Sequence, residues 1–408
     1  MSRFTHIRTW AILTPLLVLA SCDNNNDCGY CGNYTPWELS VGLVAGNFNN
    51  NGQTSLVTTS TVIYHPHFNN GNLKIYLSTG PGAFAAPGLI ADGDDPLFLA
   101  SADLNGDNLP DVVSTSYSDG TLAVFFNNAQ TPGTFSTPLI LSSPGASQVA
   151  IGDLNGDGLP DLVSADFNVS LFIQTSPGAF ASPISLYPGG ANWVAVGDLN
   201  GDGSADVALT DAIGVKVLMH TGAPSATTFS APVTVFTQTQ NDNVSGANVV
   251  AIADVNGDGL NDLVITDPGP TGGSAPTVSV LLQDAAHPGQ FLAAASYVTA
   301  VSSLAQSIIV TDINGDGLPD IVIGGTDAVT VLLQNAAGPG TYLAAANYPV
   351  MNSYQIAIAD VNGDGLSDII TATGVSQTVE NGVITNKPGV LLQSASSPGT
   401  FGALQDLP

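Results

Sequence analysis

The chain has 408 residues, of which 33 are acidic and only 5 are basic, and its formal net charge is −28. Nucleic acid and anionic membrane surfaces are themselves negative, so this charge argues against both as partners. Of the basic residues, Arg3 and Arg8 lie near the start, which leaves only Lys74, Lys216 and Lys387 in the rest of the chain.

Residues 1–21 are interpreted as a secretory signal peptide. Basic residues precede an apolar run from Trp10 to Ala20, which is too short to cross a bilayer as a helix. The end of the run, Leu19-Ala20-Ser21-Cys22, resembles a bacterial lipoprotein cleavage box. The resemblance implies that Cys22 carries the lipid, although a plain signal peptide is the alternative. We therefore expect a lipid-anchored protein of the bacterial cell envelope, facing the periplasm or the cell surface, with no other membrane contact.

Residues 22–36 are rich in Asn, Asp and Gly and are interpreted as a polar tether. Cys28 and Cys31 form a CxxC pair, but Gly32 stands where a haem-attachment motif has His, and no second cysteine pair completes a zinc site. In an oxidising envelope, a local disulfide is favoured over redox catalysis.

Residues 37–408 contain a repeat with a period of about 45 to 58 residues. The nine-residue pattern DxNGDxxxD begins at Asp103, Asp153, Asp198, Asp254, Asp312 and Asp360, and a degenerate copy begins at Asn47. A second marker, "PG" followed by any residue and Phe or Tyr, keeps step with it from Pro81 to Pro398, and a looser "GAPSATTF" from Gly222 fills one slot. Each marker therefore indicates seven repeat units.

Each unit contains four short, β-branched apolar runs bounded by Gly, Pro, Asn and Asp, and these predict strands. Runs such as "NVVAIAD" are apolar at nearly every position, which suits strands buried on both faces. We predict an all-β fold, a seven-bladed β-propeller of four-stranded antiparallel blades. A solenoid would need polar capping repeats, and none is evident in the sequence.

These motifs resemble the FG-GAP or VCBS repeats that form the blades of integrin-α-like propellers. The resemblance implies that the acidic loop joins the first two strands of each blade and holds Ca²⁺. Calcium takes six to eight hard oxygens, which side chains at loop positions 1, 3, 5 and 9 and a carbonyl at position 7 can supply. We expect about six structural Ca²⁺ sites. The implied side-chain ligands are Asp103, Asn105, Asp107 and Asp111; Asp153, Asn155, Asp157 and Asp161; Asp198, Asn200, Asp202 and Asp206; Asp254, Asn256, Asp258 and Asp262; Asp312, Asn314, Asp316 and Asp320; and Asp360, Asn362, Asp364 and Asp368.

Two loops depart from the pattern. The second unit has Asn108 where the others have Gly, but Asn tolerates left-handed backbone, so we expect the site to survive. The first unit has Asn47, Asn49, Asn51 and Ser55, which carry no charge, and we expect it to be free of metal.

An EF-hand would need Glu at position 12 and flanking helices, and no unit has that Glu. Asx-rich turns without metal are the remaining alternative, although clustered carboxylates repel one another unless a cation compensates.

Signals for catalysis are few. The chain has no GxSxG, HExxH or phosphate-loop motif, and its only glutamates are Glu38 and Glu380. His65 and His67 can bind metal, but a solvated loop is the simpler interpretation. We favour a monomeric binding, adhesion or interaction scaffold for a carbohydrate or protein ligand, and keep a polysaccharide lyase or glycosidase built on a propeller as the alternative.

Ligands are expected on the face opposite the calcium loops. Amide and aromatic residues stand just before the first strand of each unit, where they can surround the mouth of the channel. We predict Trp193 as the best anchor, with burial inside a blade as the alternative. The other predicted ligand residues are Asn192, Asn248, Gln306 and Tyr354, and Phe98, Gln148 and Gln355 occupy corresponding positions. Asp119, Asp166, Asp211, Asp267 and Asp327 follow the second strands on the same face, where turn formation is the simpler role.

Overall fold

The computed structural model describes residues 37–64, 67–222, 228–237, 249–267, 276–299, 305–374, 377–380 and 383–407. The predicted signal peptide, the tether and the three cysteines lie outside the described residues. The described part of the chain consists of strands and turns, and it contains no helix that could span a membrane.

The strands follow one another in seven groups. The first strand, β1 (Trp37–Leu39), precedes blade 1, and the strands of blades 1 to 3 are β2 (Leu43–Gly46), β3 (Ser55–Tyr64), β4 (His67–Tyr76), β5 (Ser78–Gly80), β6 (Ala83–Phe84) and β7 (Gly88–Ala91); β8 (Pro96–Ala102), β9 (Asp111–Ser116), β10 (Thr121–Phe125) and β11 (Leu139–Ser142); and β12 (Gln148–Gly152), β13 (Asp161–Ala165), β14 (Val169–Phe172), β15 (Gln174–Ser176), β16 (Ala179–Phe180) and β17 (Ile184–Tyr187). Blades 4 and 5 contain β18 (Trp193–Gly197), β19 (Asp206–Thr210), β20 (Gly214–Leu218) and β21 (Val233–Thr237); and β22 (Val250–Ala253), β23 (Asp262–Asp267), β24 (Thr277–Leu281) and β25 (Ala295–Val298). Blades 6 and 7 contain β26 (Ala305–Thr311), β27 (Asp320–Gly325), β28 (Ala328–Leu332) and β29 (Ala346–Pro349); and β30 (Ile356–Ala359), β31 (Asp368–Thr371), β32 (Gln377–Glu380), β33 (Val383–Asn386), β34 (Gly389–Leu391) and β35 (Gln405–Asp406).

Each blade is a four-stranded antiparallel sheet whose strands pair in chain order, and the seven blades form a ring. The innermost strand of each blade contacts the innermost strands of its two neighbours, and β2 contacts β30 to close the ring. The predicted all-β, seven-bladed propeller of four-stranded antiparallel blades is therefore confirmed.

The hydrophobic core lies between the blades. Seven clusters of buried side chains are found among the described residues, and each joins two neighbouring blades, including blades 7 and 1. The second strands, such as β9, β13 and β19, are buried at every position because both of their faces meet such a cluster. The run "NVVAIAD" instead includes the first strand β22, in which Val250 is buried and residues 251–253 are half-buried, so its predicted burial on both faces is only partial.

One feature of ring closure was not predicted. Strands β3 and β4 extend beyond the blade, and β1 pairs with β3 on one side and in parallel with β33 on the other. The hairpin β32–β33 of blade 7 is thereby joined to the sheet of blade 1. The first and last repeats thus share backbone pairing in addition to the side-chain packing that joins other blades.

Candidate metal loops and the opposite face

The acidic loops lie at one end of the blades, between the first and second strands, and we call this end the loop face. The other end, with the turns between second and third strands and the links between blades, is the turn face. Because the strands in each blade are antiparallel, the PG marker before the fourth strand also lies on the loop face. Both sequence markers are therefore at the same end of the ring.

In blade 3, the loop is folded by its own side chains. The two carboxylate oxygens of Asp153 accept the amides of Gly156 and Gly158 at 2.7 and 2.8 Å. Asn155 Oδ1 accepts the amide of Asp157 at 2.9 Å, and Asp157 in turn accepts the amide of Leu159. Gly156 and Gly158 have φ of 72° and 84°, a left-handed conformation that explains why glycine recurs at positions 4 and 6. At position 6 of blade 2, Asn108 adopts it with φ of 65°.

The aspartate at loop position 9 is fully buried and holds two segments of its blade. Asp161 accepts the amide of Leu154 at 2.9 Å with one oxygen and the amide of Gln174 at 2.7 Å with the other. Burial raises its pKa to about 6, repulsion from Asp157 and Asp153 adds to the rise, and the two amide hydrogen bonds oppose it. The equivalent residues are Asp111, Asp206, Asp262, Asp320 and Asp368, and burial raises the pKa of each.

Where the PG marker is described, it lies against the loop of the preceding blade, as blades 3 and 1 show. Gly178 has φ of 75° and donates its amide to the carbonyl of Leu104 at 2.8 Å. A Cβ on Gly178 would lie 3.8 Å from the Cβ of Asn105, loop position 3 of blade 2. At ring closure, Gly82 of blade 1 donates its amide to the carbonyl of Val361 in the loop of blade 7 at 2.6 Å. The two markers keep step in the sequence because they are in contact in the fold.

A side-chain amide at the end of the third strand completes this junction, and sequence reasoning missed it. Gln334 donates its own backbone amide to Asp320 at 2.7 Å, and its Nε2 donates to the carbonyl of Val255 in the preceding loop, also at 2.7 Å. Gln174 and Gln393 bridge to the preceding blade in the same way. The recurrent Gln a few residues before the PG marker, as in "VLLQ", was the available signal.

The uncharged first loop folds into a similar turn. Asn47 accepts the amide of Gly52 at 3.1 Å, and Asn51 accepts the amide of Gln53 at 2.9 Å. Neutral side chains therefore suffice for the turn, and the negative charge of the other six loops is not needed to fold it. Its predicted lack of metal remains a prediction.

The donor set of the six charged loops consists of carboxylate and amide oxygens, which suit a hard cation such as Ca²⁺. In the described residues, however, no three His, Cys, Asp or Glu side chains are gathered closely enough to hold a metal ion. Their oxygens point at the amides of their own loops instead, as in blade 3. The predicted ligands of each site therefore share one loop without converging on a common point, and the predicted calcium sites remain a prediction.

At the turn face, Trp193 is half-buried. Its ring meets the ring of Phe98 edge-to-face, with centroids 5.2 Å apart. Trp193 begins the first strand of blade 4 and Phe98 lies in the first strand of blade 2, so the two rings meet across the intervening blade at the end of the channel. Trp193 also packs against two core clusters. It is therefore neither an open platform nor a wholly interior side chain.

Two other residues predicted to surround the channel mouth instead form hydrogen bonds that join blades, which corrects that expectation. Gln355 accepts the amides of Leu43 and Leu99 and donates to the carbonyl of Leu99 at 2.7 Å, so it joins blade 7 to blades 1 and 2. Gln148 joins blade 3 to Val194 of blade 4 in the same manner.

Tyr354 is only 7% exposed, and burial raises its pKa to about 12, so its ring is not presented to solvent. Asn192 and Gln306 are half-buried at the same face. Asn248 and His65 lie outside the described residues.

The aspartates that follow the second strands have different surroundings in different blades. Asp166 accepts hydrogen bonds from the hydroxyls of Ser143 and Ser164 at 2.8 and 3.1 Å. Asp211 pairs with Lys216 and accepts the hydroxyl of Tyr187 at 2.9 Å. Burial alone would raise the pKa of Asp211, but these hydrogen bonds outweigh it and lower the pKa. Their predicted role in turn formation thus fits blades 3 and 4.

A family model for FG-GAP-like repeats matches residues 47–114, 103–164, 154–209, 254–323 and 312–371, which is more than half of the chain. The chain belongs to the FG-GAP-like repeat family. A comparison with curated protein sequences finds no significant match.

The chain is similar to several solved structures. One is a lectin from Agrocybe aegerita, described as recognising non-reducing terminal N-acetylglucosamine, with a TM-score of 0.52, 20% identity, and coverage of 79% of this chain and 82% of the lectin. The biofilm matrix protein Bap1 of V. cholerae has a TM-score of 0.41, 13% identity, and coverage of 90% and 88%. The rhamnogalacturonan lyase YesW has a TM-score of 0.46, 10% identity, and coverage of 82% and 70%. At these identities the likeness concerns the fold alone.

Proposed function

We propose that this FG-GAP-like propeller is a calcium-stabilised binding scaffold of the cell envelope that presents a carbohydrate or protein ligand site on its turn face. The supporting observation is the contrast between the two ends of the ring. The described junctions on the loop face recur with the same loop and marker, whereas on the turn face Asp166 and Asp211, which follow the second strands of blades 3 and 4, have different partners. Binding residues concentrate on variable loops held by a rigid scaffold, which is the arrangement of the turn face.

Calcium in the six charged loops accounts for negative charge that the turn itself does not require. In blade 3, the side chains that would hold it are Asp153, Asn155, Asp157 and Asp161, and the other charged loops have the same set. When bound, the ion would neutralise these carboxylates. Where the marker of the next blade covers a loop, a bound ion would stabilise the contact between blades as well as the loop.

The proposed location at the cell envelope is supported by the lipoprotein-like motif that ends at Cys22. Lipid on Cys22 would hold the protein at a membrane surface, and residues 22–36 would separate the ring from that surface. A Cys22→Ser variant should then leave the membrane fraction, as judged by detergent partitioning. If the variant still partitions with the membrane, the anchor lies elsewhere.

The binding function is tested with a glycan and peptide array, probed with the calcium-loaded protein. We expect a restricted set of glycans or peptides to bind, and we expect binding to be lost after substitution on the turn face but not after an exposed substitution such as Leu292→Ala on the loop face. The absence of any ligand on both arrays would contradict the proposal. Release of shorter oligosaccharides from a bound polysaccharide would instead favour the enzymatic alternative.

A further inference from the structure

The turn between the second and third strands of blade 3 carries an acceptor pattern for N-linked glycosylation. Asn168, Val169 and Ser170 form the pattern Asn-x-Ser, in which the middle residue is not proline. In a secreted protein, such a pattern can be modified where it lies at the surface. The pattern with Ser or Thr occurs twice more, at Asn33 and Asn243, which lie outside the described residues. The argument below therefore concerns Asn168.

Asn168 stands at the tip of a turn that other residues hold in place. Asp166 Oδ1 accepts the backbone amide of Asn168 at 2.6 Å, and its Oδ2 accepts the hydroxyls of Ser143 and Ser164 at 2.8 and 3.1 Å. Asn168 itself is exposed, and its side-chain amide makes no hydrogen bond to a described residue. The folded turn therefore does not depend on this amide, and a bulky group on its Nδ2 would extend into solvent.

An exposed aromatic ring precedes this amide in the same turn. Phe167 is 51% exposed, belongs to none of the core clusters, and meets the ring of Tyr117 edge-to-face with centroids 6.0 Å apart. The ring also lies against Gly145, where a Cβ would be 2.7 Å from a ring carbon. These contacts fix the ring while half of it stays open to solvent. The apolar C–H face of a sugar packs well on such a ring.

We propose that Asn168 carries an N-linked glycan whose first sugar packs on Phe167. In the transfer, Nδ2 of Asn168 forms a bond to C1 of the sugar and gives up a proton to a base of the oligosaccharyltransferase. The bond between C1 and the diphosphate of a lipid-linked oligosaccharide donor breaks, and the lipid diphosphate leaves. This inference rests on the proposed envelope location, because the chain has to be exported to meet such a donor.

The hydrogen bonds of the turn place the transfer before blade 3 folds. In the folded chain, Ser170 lies in β14, and its Oγ donates to the backbone carbonyl of Asn168 at 2.6 Å. The Ser of the pattern is part of what the transferase recognises, so its hydroxyl has to be free when the sugar is transferred. Once the blade has folded, Asp166 fixes the turn and the glycan remains on the turn face.

The test is glycopeptide mapping by mass spectrometry on the full chain, purified from the membrane fraction of its natural host. An Asp-specific protease releases residues 166–197, which contain the acceptor pattern of Asn168 and no other. We expect this fragment to carry the added mass of hexose or N-acetylhexosamine units. The mass should be lost in Asn168→Gln and in Ser170→Ala but retained in Ser170→Thr, which restores the hydroxyl. Asn128→Gln is the matched control, since Asn128 is exposed but has no Ser or Thr two residues later.

The contact with Phe167 has a readout of its own, the melting temperature. Wild type should melt about 1 to 2 °C above Asn168→Gln, because the sugar covers an exposed apolar ring. In the Phe167→Ala background the glycan should still be attached, but this difference between Asn168 and Gln should disappear.

An unmodified fragment from protein that partitions with the membrane overturns the inference and leaves the proposed location intact. Protein found in the cytosolic fraction alone contradicts both. Sugar that persists in Ser170→Ala overturns the assignment of the acceptor, and a melting difference that persists in Phe167→Ala overturns the contact with the ring.

Discussion

The aspartates on the two faces of the ring have different surroundings. On the loop face, all six position 9 aspartates are fully buried and make the same two amide hydrogen bonds, because each holds a junction that recurs around the ring. On the turn face, Asp166 is held by serines and Asp211 by Lys216, whereas buried Asp92 lies beside the hydroxyl of Ser114 and is repelled by Asp119. The repeated loop therefore fixes the surroundings of the aspartates on one face, whereas the described aspartates of the other face have different surroundings from blade to blade.

Removal of calcium should have the largest effect, and it tests whether the loop face is a metal-dependent structure. With affinities of ~10⁻⁴ M and ~1 mM Ca²⁺, each site stabilises by about 1.4 kcal/mol, or roughly 8 kcal/mol for six independent sites. We expect chelation to lower the melting temperature by roughly 10 °C or more. Differential scanning calorimetry with and without chelator, followed by re-addition of calcium or magnesium, measures this. A shift of only a few degrees would mean that the loops are Asx turns of little metal dependence.

The next effect isolates the hydrogen bonds of the loop face from any metal. Asp320 accepts the amides of Ile313 and Gln334, whereas Ser55, its counterpart in the uncharged loop, accepts only the amide of Ser78. Both side chains are fully buried. In chelator, Asp320→Ala should cost about 3 kcal/mol because two buried amides lose their acceptor, and Ser55→Ala about 1 kcal/mol.

Urea unfolding monitored by circular dichroism compares the two variants. Equal losses of unfolding free energy would show that the position 9 aspartate does no more than the serine, and would weaken the view that it holds two segments. Asp320→Asn, which retains one acceptor oxygen, should fall between wild type and Asp320→Ala.

The third prediction concerns the aromatic contact at the channel end of the turn face. Trp193→Ala should destabilise the protein by about 2 kcal/mol, since the ring is half-buried against Phe98 and two core clusters. A double-mutant cycle with Phe98→Ala should give a coupling of about 1 kcal/mol for the edge-to-face pair. Loss of ligand binding with an unchanged melting temperature would restore the interpretation of Trp193 as a ligand platform.

The repeat pattern was sufficient to predict the blades and the folding of their loops. Alternate Asp, Asn and Gly within nine residues dictate a turn by local hydrogen bonds, so the sequence of one unit contains the information. The contact between Gln334 and Val255, and that between Gln393 and Ile313, join residues 79 and 80 positions apart. Two markers in step suggested a relation, but only the packing of neighbouring blades shows that one covers the other.

The turn face was harder to predict because its residues lie at strand ends. There, a shift of one residue in register moves a side chain from solvent to the interior. Gln355 and Trp193 stand at nearly equivalent positions at the start of a first strand. The side chain of Gln355, however, is hydrogen-bonded to backbone groups of two other blades, whereas Trp193 is half-exposed.

The smallest effect should come from Asp92, and it concerns the charge that the turn face leaves unbalanced. Burial raises the pKa of this carboxyl group to about 7, repulsion from Asp119 adds to the rise, and the Ser114 hydroxyl opposes it. A raised pKa means that the folded protein binds the proton more tightly than the unfolded chain between about pH 4 and about pH 7. The contribution of Asp92 to the unfolding free energy should therefore decrease as the pH rises through this window.

Asp92→Asn removes the charge without changing the shape of the side chain, so the variant should be more stable than wild type at pH 8 and should lose this advantage toward pH 4. The rise of this pKa from 3.8 to about 7 corresponds to roughly 4 kcal/mol at about 1.4 kcal/mol per unit, and relaxation of the loop around the charged carboxylate should reduce the advantage to the order of 1 kcal/mol. Urea unfolding at several pH values, with Asp327→Asn as the control, measures it. If Asp92→Asn is less stable than wild type at pH 8, the carboxylate is ionised and held by a favourable partner. In that case the junction of blades 1 and 2 balances its charge as the other junctions do.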